Sequence, residues 1–422
     1  MDLMKKRWIV LFASIIVNIC IGTGFAWSVY QTGLFNEAVN IFGTQVTKAQ
    51  LALAFTICSG VAPIPMIAGT GMQARFGPRN IVSFGGLLFG AGLILTGFIS
   101  SLQGLYITYG LLTGFGIAFA YGITIGNTVQ FFPDKKGLIA GISTAAYGAG
   151  SIIFPPIMQS MISSNGVMFT FKTLGILYTV CILIAAVFIT APPAGWKPDG
   201  YEPPVPAGNK GGSGNKNWKE MITDGKFYLM FIAFTIYAAG GLMVVSQGSP
   251  MAQAIGGVNV AVAAAAVSII ALANTAGRVV WGWVSDKIGR YPALAWMSII
   301  ISISGFALAS VKGSYQLFLV FSMLIALCYG GSMGVYPALT ADAYGMKNNG
   351  VNYGVMFIGF ALGGYIGPVM ASKLSASTGS YAIPLQVVGI LGAISFAIVL
   401  MLIVLKKKAD SENKVQNQGR AL

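Results

Sequence analysis

Residues 273–290 read ANTAGRVVWGWVSDKIGR, an apolar run that contains one arginine, Arg278, and reaches further charged residues only from Asp286 onwards. From Arg278 to Asp286 is eight residues, which corresponds to about 12 Å along a helix. Half of a bilayer's hydrocarbon core is about 15 Å thick. If this segment crosses a membrane as a helix, Arg278 lies near the midplane, where a charged side chain is energetically costly.

The composition is typical of an integral membrane protein. Of the 422 residues, 55% are hydrophobic and only 9% are charged, with a mean hydropathy of +0.76; soluble proteins are about 45–50% apolar and roughly 25% charged. Apolar residues run continuously instead of alternating, which favours helices over a β-barrel. We predict an all-α membrane protein with twelve transmembrane helices, near residues 8–30, 49–73, 80–100, 103–132, 137–163, 168–191, 226–248, 259–283, 291–311, 315–340, 350–374 and 381–405.

The net charge of +14 reflects membrane topology and does not indicate nucleic-acid binding. Apart from Arg278, only Lys48, Lys172, Lys312 and Lys373 of the 25 lysines and arginines fall outside the termini and the even-numbered loops. By the positive-inside rule, both termini are cytoplasmic and the protein is a multi-pass protein of the cytoplasmic membrane. The first helix has no A-x-A cleavage site and is expected to be retained.

The helices fall into two sets of six. We predict an N-terminal bundle at 1–191, a cytoplasmic linker at 192–225 rich in Pro, Gly, Lys and Asn, a C-terminal bundle at 226–405 and a cytoplasmic tail at 406–422. This arrangement is typical of secondary transporters that are built from repeats and work by alternating access.

Internal matches support a duplicated half. The loop RFGPR at 75–79 has a counterpart in KIGR at 287–290, and at an offset of 213 residues three glycines and one proline of the first half fall on Gly350, Gly354, Gly363 and Pro368. Glycine pairs four residues apart recur along the helices, and such pairs let helix backbones approach closely in lipid. The two bundles are therefore expected to be pseudo-symmetric.

Catalytic chemistry is not indicated. The chain has no histidine, and its four cysteines lie within apolar spans without metal-ligand spacing, so we expect packing roles for them and neither a metal nor a cofactor. A membrane enzyme or sensor is the alternative from another class, but the sequence offers no catalytic constellation for it.

Arg278 is the candidate substrate-binding residue. A guanidinium at the midplane costs about 2.5–3.5 kcal/mol on insertion scales, and all eleven acidic residues lie in loops, tails or helix ends. Snorkelling towards the cytoplasm is one alternative, and a structural arginine held by carbonyls is another; the tilt of Cα–Cβ bonds towards the helix N-terminus argues against the first. The guanidinium fork suits a carboxylate, so we expect a small organic anion, with Asn274 four residues earlier orienting Arg278 or contacting the substrate.

The chain resembles the major facilitator superfamily, and within it the oxalate/formate antiporter branch and the related monocarboxylate transporters. GWVSDKIGR at 282–290 is similar to the superfamily's cytoplasmic loop motif, while FFPDKKGLIAG at 131–141 and GFAWSVY at 24–30 are similar to segments of the two carboxylate families. The resemblance implies gating roles for the loop residues Asp286, Lys287, Arg290, Arg75 and Arg79. The first copy of the motif has Ala74 where the family usually has Asp, which implies a weaker latch there.

The resemblance also implies a set of substrate-binding residues. The family's carboxylate-binding arginine falls on Arg278, and aromatic residues lining its cavity fall on Tyr30, Tyr121, Tyr147 and Tyr329. The lysine of the oxalate carrier, eight residues after the Asn of an NYG tripeptide, is replaced by Phe360. One cavity cation instead of two favours a monocarboxylate such as lactate, pyruvate, formate or glycolate, because a second carboxylate would leave an uncompensated charge.

Two rivals share this fold. A dicarboxylate exchanger would need a second cation, which Lys172 and Lys373 are placed too far from the midplane to supply, and a polyspecific efflux carrier of lipophilic cations would be disfavoured by Arg278. Where proton-linked carriers often have an Asp, this chain has Asn274, so coupling to protons or to a counter-anion stays open. We expect a monomer surrounded by membrane lipid.

Overall fold

The computed structural model describes residues 2–193, 195–198, 200–201 and 215–418, which are helical or lie in turns and short connections, without strands. Within these residues, twelve helical segments are long and apolar enough to cross a membrane. The predicted all-α fold with twelve spans is confirmed. The first helical residues are Leu3–Ile21 and the last helix ends at Gln418.

The chain divides into two compact units. The first comprises Met1–Phe132 and Ser143–Trp196, and the second comprises Pro133–Ile142 and Lys197–Leu422. One long helix therefore begins in the second unit and continues in the first. The predicted limits of the bundles, linker and tail stay a prediction, and the part of the predicted linker from Glu202 to Gly214 lies outside the described residues.

The helices of the first unit follow one another through short connections. They are α1 (Leu3–Ile21), α2 (Trp27–Asn36), α3 (Ala38–Phe42), α4 (Lys48–Gly60), α5 (Pro63–Thr96), α6 (Leu102–Leu105), α7 (Gly114–Phe131), α8 (Lys136–Asn165) and α9 (Val167–Ala186). A 3₁₀ segment, Gly22–Ala26, joins α1 to α2, and a π-helical segment, Tyr106–Thr113, joins α6 to α7.

The break between α1 and α2 lies beside a close helix contact. A Cβ at Gly22 would overlap the backbone carbonyl of Tyr147, and a Cβ at Gly150 would overlap the carbonyl of Ile19, so only glycine lets α1 and α8 approach this closely. At the same level the Tyr109 hydroxyl donates to the Gly24 carbonyl oxygen, 3.4 Å away. The irregular parts of the predicted first and fourth helices thus contact each other. Mid-helix 3₁₀ and π segments of this kind often mark functional hinges.

The second unit contains the remaining helices. They are α10 (Trp218–Ile222), α11 (Gly225–Ser246), α12 (Gly248–Gly256), α13 (Val260–Ile288), α14 (Arg290–Ser310), α15 (Tyr315–Tyr344), α16 (Asn349–Thr378) and α17 (Ala382–Gln418). The predicted boundary at residue 283 falls short, because α13 continues through the charged residues Asp286 and Lys287 to Ile288.

The two copies of the loop motif share an unusual backbone conformation. Gly77 has φ 77° and ψ 158°, and Gly289 has φ 93° and ψ 157°. This region of conformational space is accessible almost only to glycine. The sequence match between RFGPR and KIGR therefore corresponds to the same sharp bend, once in each unit.

Helices α13 and α15 form a close seam in the second unit. A Cβ at Gly277 would overlap the Leu327 carbonyl oxygen, and one at Gly330 would overlap the Asn274 carbonyl oxygen. Backbone contacts of this kind are what glycine spacing provides in membrane helices. The seam fixes the part of α13 that carries Asn274 and Arg278.

We predict that Gly330→Ala destabilises the protein. Overpacking typically costs about 1–3 kcal/mol, and here the new methyl group would meet rigid backbone. Thermal unfolding of the purified protein in detergent should shift to lower temperature. Gly225→Ala is the matched control, because a Cβ at Gly225 would meet nothing within 4 Å. Equal stability of the two variants would contradict the close backbone contact between α13 and α15 at Gly330.

Candidate functional site

Arg278 lies on α13 and is buried, with 3% of its surface exposed. Its Nη2 donates to Oδ1 of Asn274 over 3.2 Å, one helical turn earlier. The Nδ2 of Asn274 in turn points to the Ala326 carbonyl oxygen on α15, 3.5 Å away. The structure therefore brings the predicted pair together, and the amide of Asn274 fixes the direction of the guanidinium.

The backbone around Arg278 is enclosed by small residues. A Cβ at Gly334 or at Gly141 would overlap the Arg278 carbonyl oxygen, so α15 and the first turns of α8 both pack directly against this turn of α13. No side chain at these two positions separates the three backbones. The arginine is consequently attached to a rigid part of the second unit, which suits a residue that has to hold an anion in one orientation.

An aromatic cluster lies in the same unit. The rings of Tyr329 and Phe360 are parallel within 6° with centroids 6.4 Å apart, and Phe360 also stacks on Phe357 at 4.6 Å. Phe234 lies 6.1 Å from Phe360. Phe360, which is predicted to bind substrate, thus packs against other rings.

The predicted aromatic residues of the first unit form two groups. Tyr121 and Tyr147 are neighbours, with ring centroids 4.9 Å apart. Tyr30, however, is 1% exposed and stacks on Phe171 at 4.0 Å, next to Tyr109. Its ring contributes to the packing of α2 against α9. Substrate roles for all of these tyrosines stay predictions.

The second copy of the loop motif forms a charged network at one end of α13. Both carboxylate oxygens of Asp286 accept hydrogen bonds from the first turn of α8: Oδ1 from the backbone N–H of Gly137 at 2.9 Å and Oδ2 from that of Leu138 at 2.8 Å. A carboxylate at a helix N-terminus satisfies donors that have no partner within the helix and interacts favourably with the helix dipole. Asp286 therefore caps α8.

Arg290 connects this cap to a second carboxylate. Its Nη1 lies 2.7 Å from Oδ1 of Asp286, and its Nε lies 3.0 Å from Oδ2 of Asp342 at the end of α15. Lys136 adds a bond to Oδ1 of Asp342 at 2.7 Å. Sequence reasoning missed Lys136 and Asp342. The sequence shows only that Lys136 and Asp342 lie near helix ends, and it does not reveal that the start of α8 lies next to the end of α15.

The remaining predicted gating residues are less engaged. Lys287, Arg75 and Arg79 are exposed, and the guanidinium carbon of Arg75 lies 5.3 Å from the centroid of the Phe76 ring. The side chain of Ala74 lies outside the described part of the chain. Gating roles for the loop residues stay predictions, and the contacts of Asp286 and Arg290 give them a physical basis in the second unit.

Residues 7–308 and 247–421 match the family model described as Major Facilitator Superfamily. The chain belongs to the major facilitator superfamily. The members of this family that resemble it are membrane transporters, and the chain is accordingly a multi-pass membrane transporter and not an enzyme. Family members carry small anions or sugars together with protons or counter-ions.

Relatives cover most of the chain. An uncharacterized MFS-type transporter of Escherichia coli, YhjX, is 29% identical over 85% of this chain and 86% of its own length. The oxalate:formate antiporter of Oxalobacter formigenes is 29% identical over 89% and 88%. Human monocarboxylate transporter 11 is 25% identical over 89% and 78%.

Solved structures agree with the fold. The Escherichia coli fucose:proton symporter FucP superposes with a TM-score of 0.68 at 14% identity, covering 95% of this chain and 99% of the symporter. The proton:xylose symporter XylE gives a TM-score of 0.68 at 12% identity, covering 95% and 96%. At this identity the likeness concerns the fold alone.

We predict that Asp286→Ala exposes the first turn of α8. Loss of hydrogen bonds to a charged acceptor costs about 1.5–3 kcal/mol, so the amides of Gly137 and Leu138 should exchange with deuterium roughly 10- to 150-fold faster. Hydrogen exchange read by mass spectrometry measures this. Glu220→Gln is the control, because the Glu220 side chain accepts its hydrogen bond from Asn217, the N-cap of its own short helix. Unchanged exchange in Asp286→Ala would show that the carboxylate does not hold the helix.

Proposed function

We propose that the chain transports a small monocarboxylate, such as lactate, pyruvate or formate, across the cytoplasmic membrane by alternating access, with both termini in the cytoplasm. The observation that carries this proposal is the buried guanidinium of Arg278, oriented by Asn274 on a rigid seam. A planar guanidinium can donate two parallel hydrogen bonds to a carboxylate, which gives both charge and geometry. The names of two kinds of relative, an oxalate:formate antiporter and monocarboxylate transporters, support the carboxylate class.

One bound negative charge suits this site better than two. Phe360 supplies an aromatic ring at the position where the oxalate carrier has a lysine, and the ring belongs to a stack with Tyr329 and Phe357. A second carboxylate next to these rings would lose its hydration without a cation in return, at a cost of several kcal/mol. An apolar methyl or hydrogen substituent loses little there, which favours lactate, pyruvate or formate over oxalate.

Substrate binding also explains how occupancy could control the conformational switch. Closing a cavity around a cation is costly, because closure removes water from the charge. A bound monocarboxylate compensates that charge, so the occupied carrier closes more readily than the empty one. A ligand shifts a conformational equilibrium only through such a difference in affinity between states.

Coupling is the least constrained part of the proposal. Asn274 cannot take up a proton as an aspartate at this position would, and the sequence has no histidine. Exchange against another anion, or facilitated transport, is therefore preferred over a proton relay through the protein. Uptake measured with and without a pH gradient, and with and without internal anion, separates these modes.

We predict that Arg278→Ala weakens the apparent affinity of monocarboxylate uptake into proteoliposomes. Loss of charge-assisted hydrogen bonds worth about 1.5–3 kcal/mol should weaken apparent affinity by roughly 10- to 150-fold. The apparent affinity of Arg278→Lys should lie between those of the wild type and Arg278→Ala, because lysine retains the charge but cannot donate two parallel hydrogen bonds. Lys312→Ala, at an exposed position to which no role in binding or gating is assigned, is the control. Normal affinity in a folded Arg278→Ala protein, verified by its thermal unfolding, would refute the role.

We predict that Phe360→Lys shifts selectivity towards dicarboxylates. A second cation should let oxalate compete with labelled lactate or formate at least about 10-fold better relative to wild type, as expected for one added charge-assisted bond. Phe360→Met provides the control, since it removes the ring without adding charge. If oxalate already competes as well as lactate in the wild type, the chain is a dicarboxylate exchanger. Resistance to cationic dyes on overexpression would instead indicate the efflux carrier.

A further inference from the structure

The two ends of the predicted linker are each bound to the unit that they adjoin. Just before its start, Asn127 Nδ2 donates to the Thr190 carbonyl oxygen at 2.9 Å, and within it the indole Nε1 of Trp196 donates to the Phe131 carbonyl oxygen at 3.1 Å. Phe131 is the last residue of α7, so its carbonyl has no partner within the helix. Trp196 therefore caps this helix end.

The other end of the linker is bound more extensively. The backbone N–H of Lys216 donates to the Tyr344 carbonyl oxygen at 2.9 Å, and Tyr344 is the last residue of α15. Oδ1 of Asn215 accepts from the backbone N–H of Lys347 at 2.9 Å. The side-chain amides of Asn348 and Asn352 both donate to the Lys216 carbonyl oxygen, at 3.2 Å and 2.9 Å.

The two capped carbonyls occupy equivalent places in the duplicated halves. Phe131 and Tyr344 are 213 residues apart, which is the offset that relates Gly137 to Gly350 and Gly141 to Gly354. Each end of the linker thus binds the last carbonyl of a helix, and the two helices, the fourth and the tenth spans, are equivalent in the repeat. A segment that served only as a tether between two bundles would not be expected to bind both of these carbonyls.

We infer that the linker acts as two separate helix caps, the Trp196 cap on α7 and the Asn215–Lys216 cap on α15, and that each cap holds without the covalent connection between them. All bonds of the Trp196 cap lie within the first unit, and all bonds of the Asn215–Lys216 cap lie within the second. The caps close the ends of two helices whose carbonyls would otherwise need water. This inference does not depend on which substrate is transported.

The Asn215–Lys216 cap is tested with a matched pair of variants. Asn215→Ala removes the acceptor for the Lys347 amide, while Asn215→Asp keeps an acceptor oxygen in the same place. Since a net hydrogen bond contributes about 0.5–1.5 kcal/mol, exchange of the Lys347 amide with deuterium should become about 2- to 12-fold faster in Asn215→Ala and stay unchanged in Asn215→Asp. Unchanged exchange in Asn215→Ala would overturn the assignment of this cap.

The Trp196 cap and the dispensable connection are tested on the full-length protein. Trp196→Phe keeps a chymotrypsin site but removes the indole donor. Cleavage after residue 196, divided by the rate in a denatured sample of the same variant to cancel the protease's preference between Trp and Phe, should become about 2- to 12-fold faster. Trp218→Phe, at an exposed tryptophan of the same linker, should leave that ratio unchanged. Cutting the chain at a protease site inserted between Gly211 and Gly212 should alter neither the Lys347 exchange nor the cleavage rate. Loss of either protection on cutting, or an unaltered ratio in Trp196→Phe, would overturn the inference.

Discussion

The close packing of helices in the second unit offsets the free-energy cost of placing the Arg278 guanidinium where water is scarce. A charged side chain at the centre of a membrane helix costs about 2.5–3.5 kcal/mol or more, so its helix has to be held in place by other interactions. The glycines at 277, 330 and 334 let α13 and α15 meet backbone to backbone on either side of Arg278. Close packing thereby stabilises a region in which the cation of Arg278 would otherwise favour exposure to solvent.

Duplication preserved the backbone of the two halves better than their chemistry. Gly77 and Gly289 make the same bend, and Phe131 and Tyr344 end equivalent helices whose last carbonyls each accept a hydrogen bond from the linker. The charged network, in contrast, belongs to the second unit: Asp286 has Ala74 as its counterpart in the loop motif, and Asp342 corresponds at the repeat offset to Val129. Both copies of the loop join two helices through a bend that almost only glycine can adopt. A carboxylate contributes only where a helix N-terminus or a basic side chain lies beside it, as for Asp286 and Asp342.

The sequence predicted those features that depend on local chemistry. Twelve spans followed from hydropathy because each span must be apolar by itself, and the pairing of Asn274 with Arg278 followed from helical spacing. The 3₁₀ segment Gly22–Ala26 was hidden, since its residues are as apolar as their neighbours and the break depends on α8. Likewise, Asn215 looked like part of a polar linker, because nothing nearby in sequence reveals the Lys347 amide that it binds.

Charged and neutral bonds between helices occur in both units, and the two kinds differ in strength. In the first unit α1 is joined to α7 by neutral pairs, with Thr128 donating to Ser14 at 3.0 Å and Thr124 to Asn18 at 3.1 Å. Such interhelical bonds are worth about 0.6 kcal/mol each in membranes, because alternative partners are available when helices move. The bonds of Asp286 and Arg290 in the second unit involve charges and are roughly twice as strong as neutral ones. Under the proposed alternating access, neutral bonds of this kind can be exchanged at low cost, while the charged bonds of Asp286 and Arg290 hold the helix that carries Arg278.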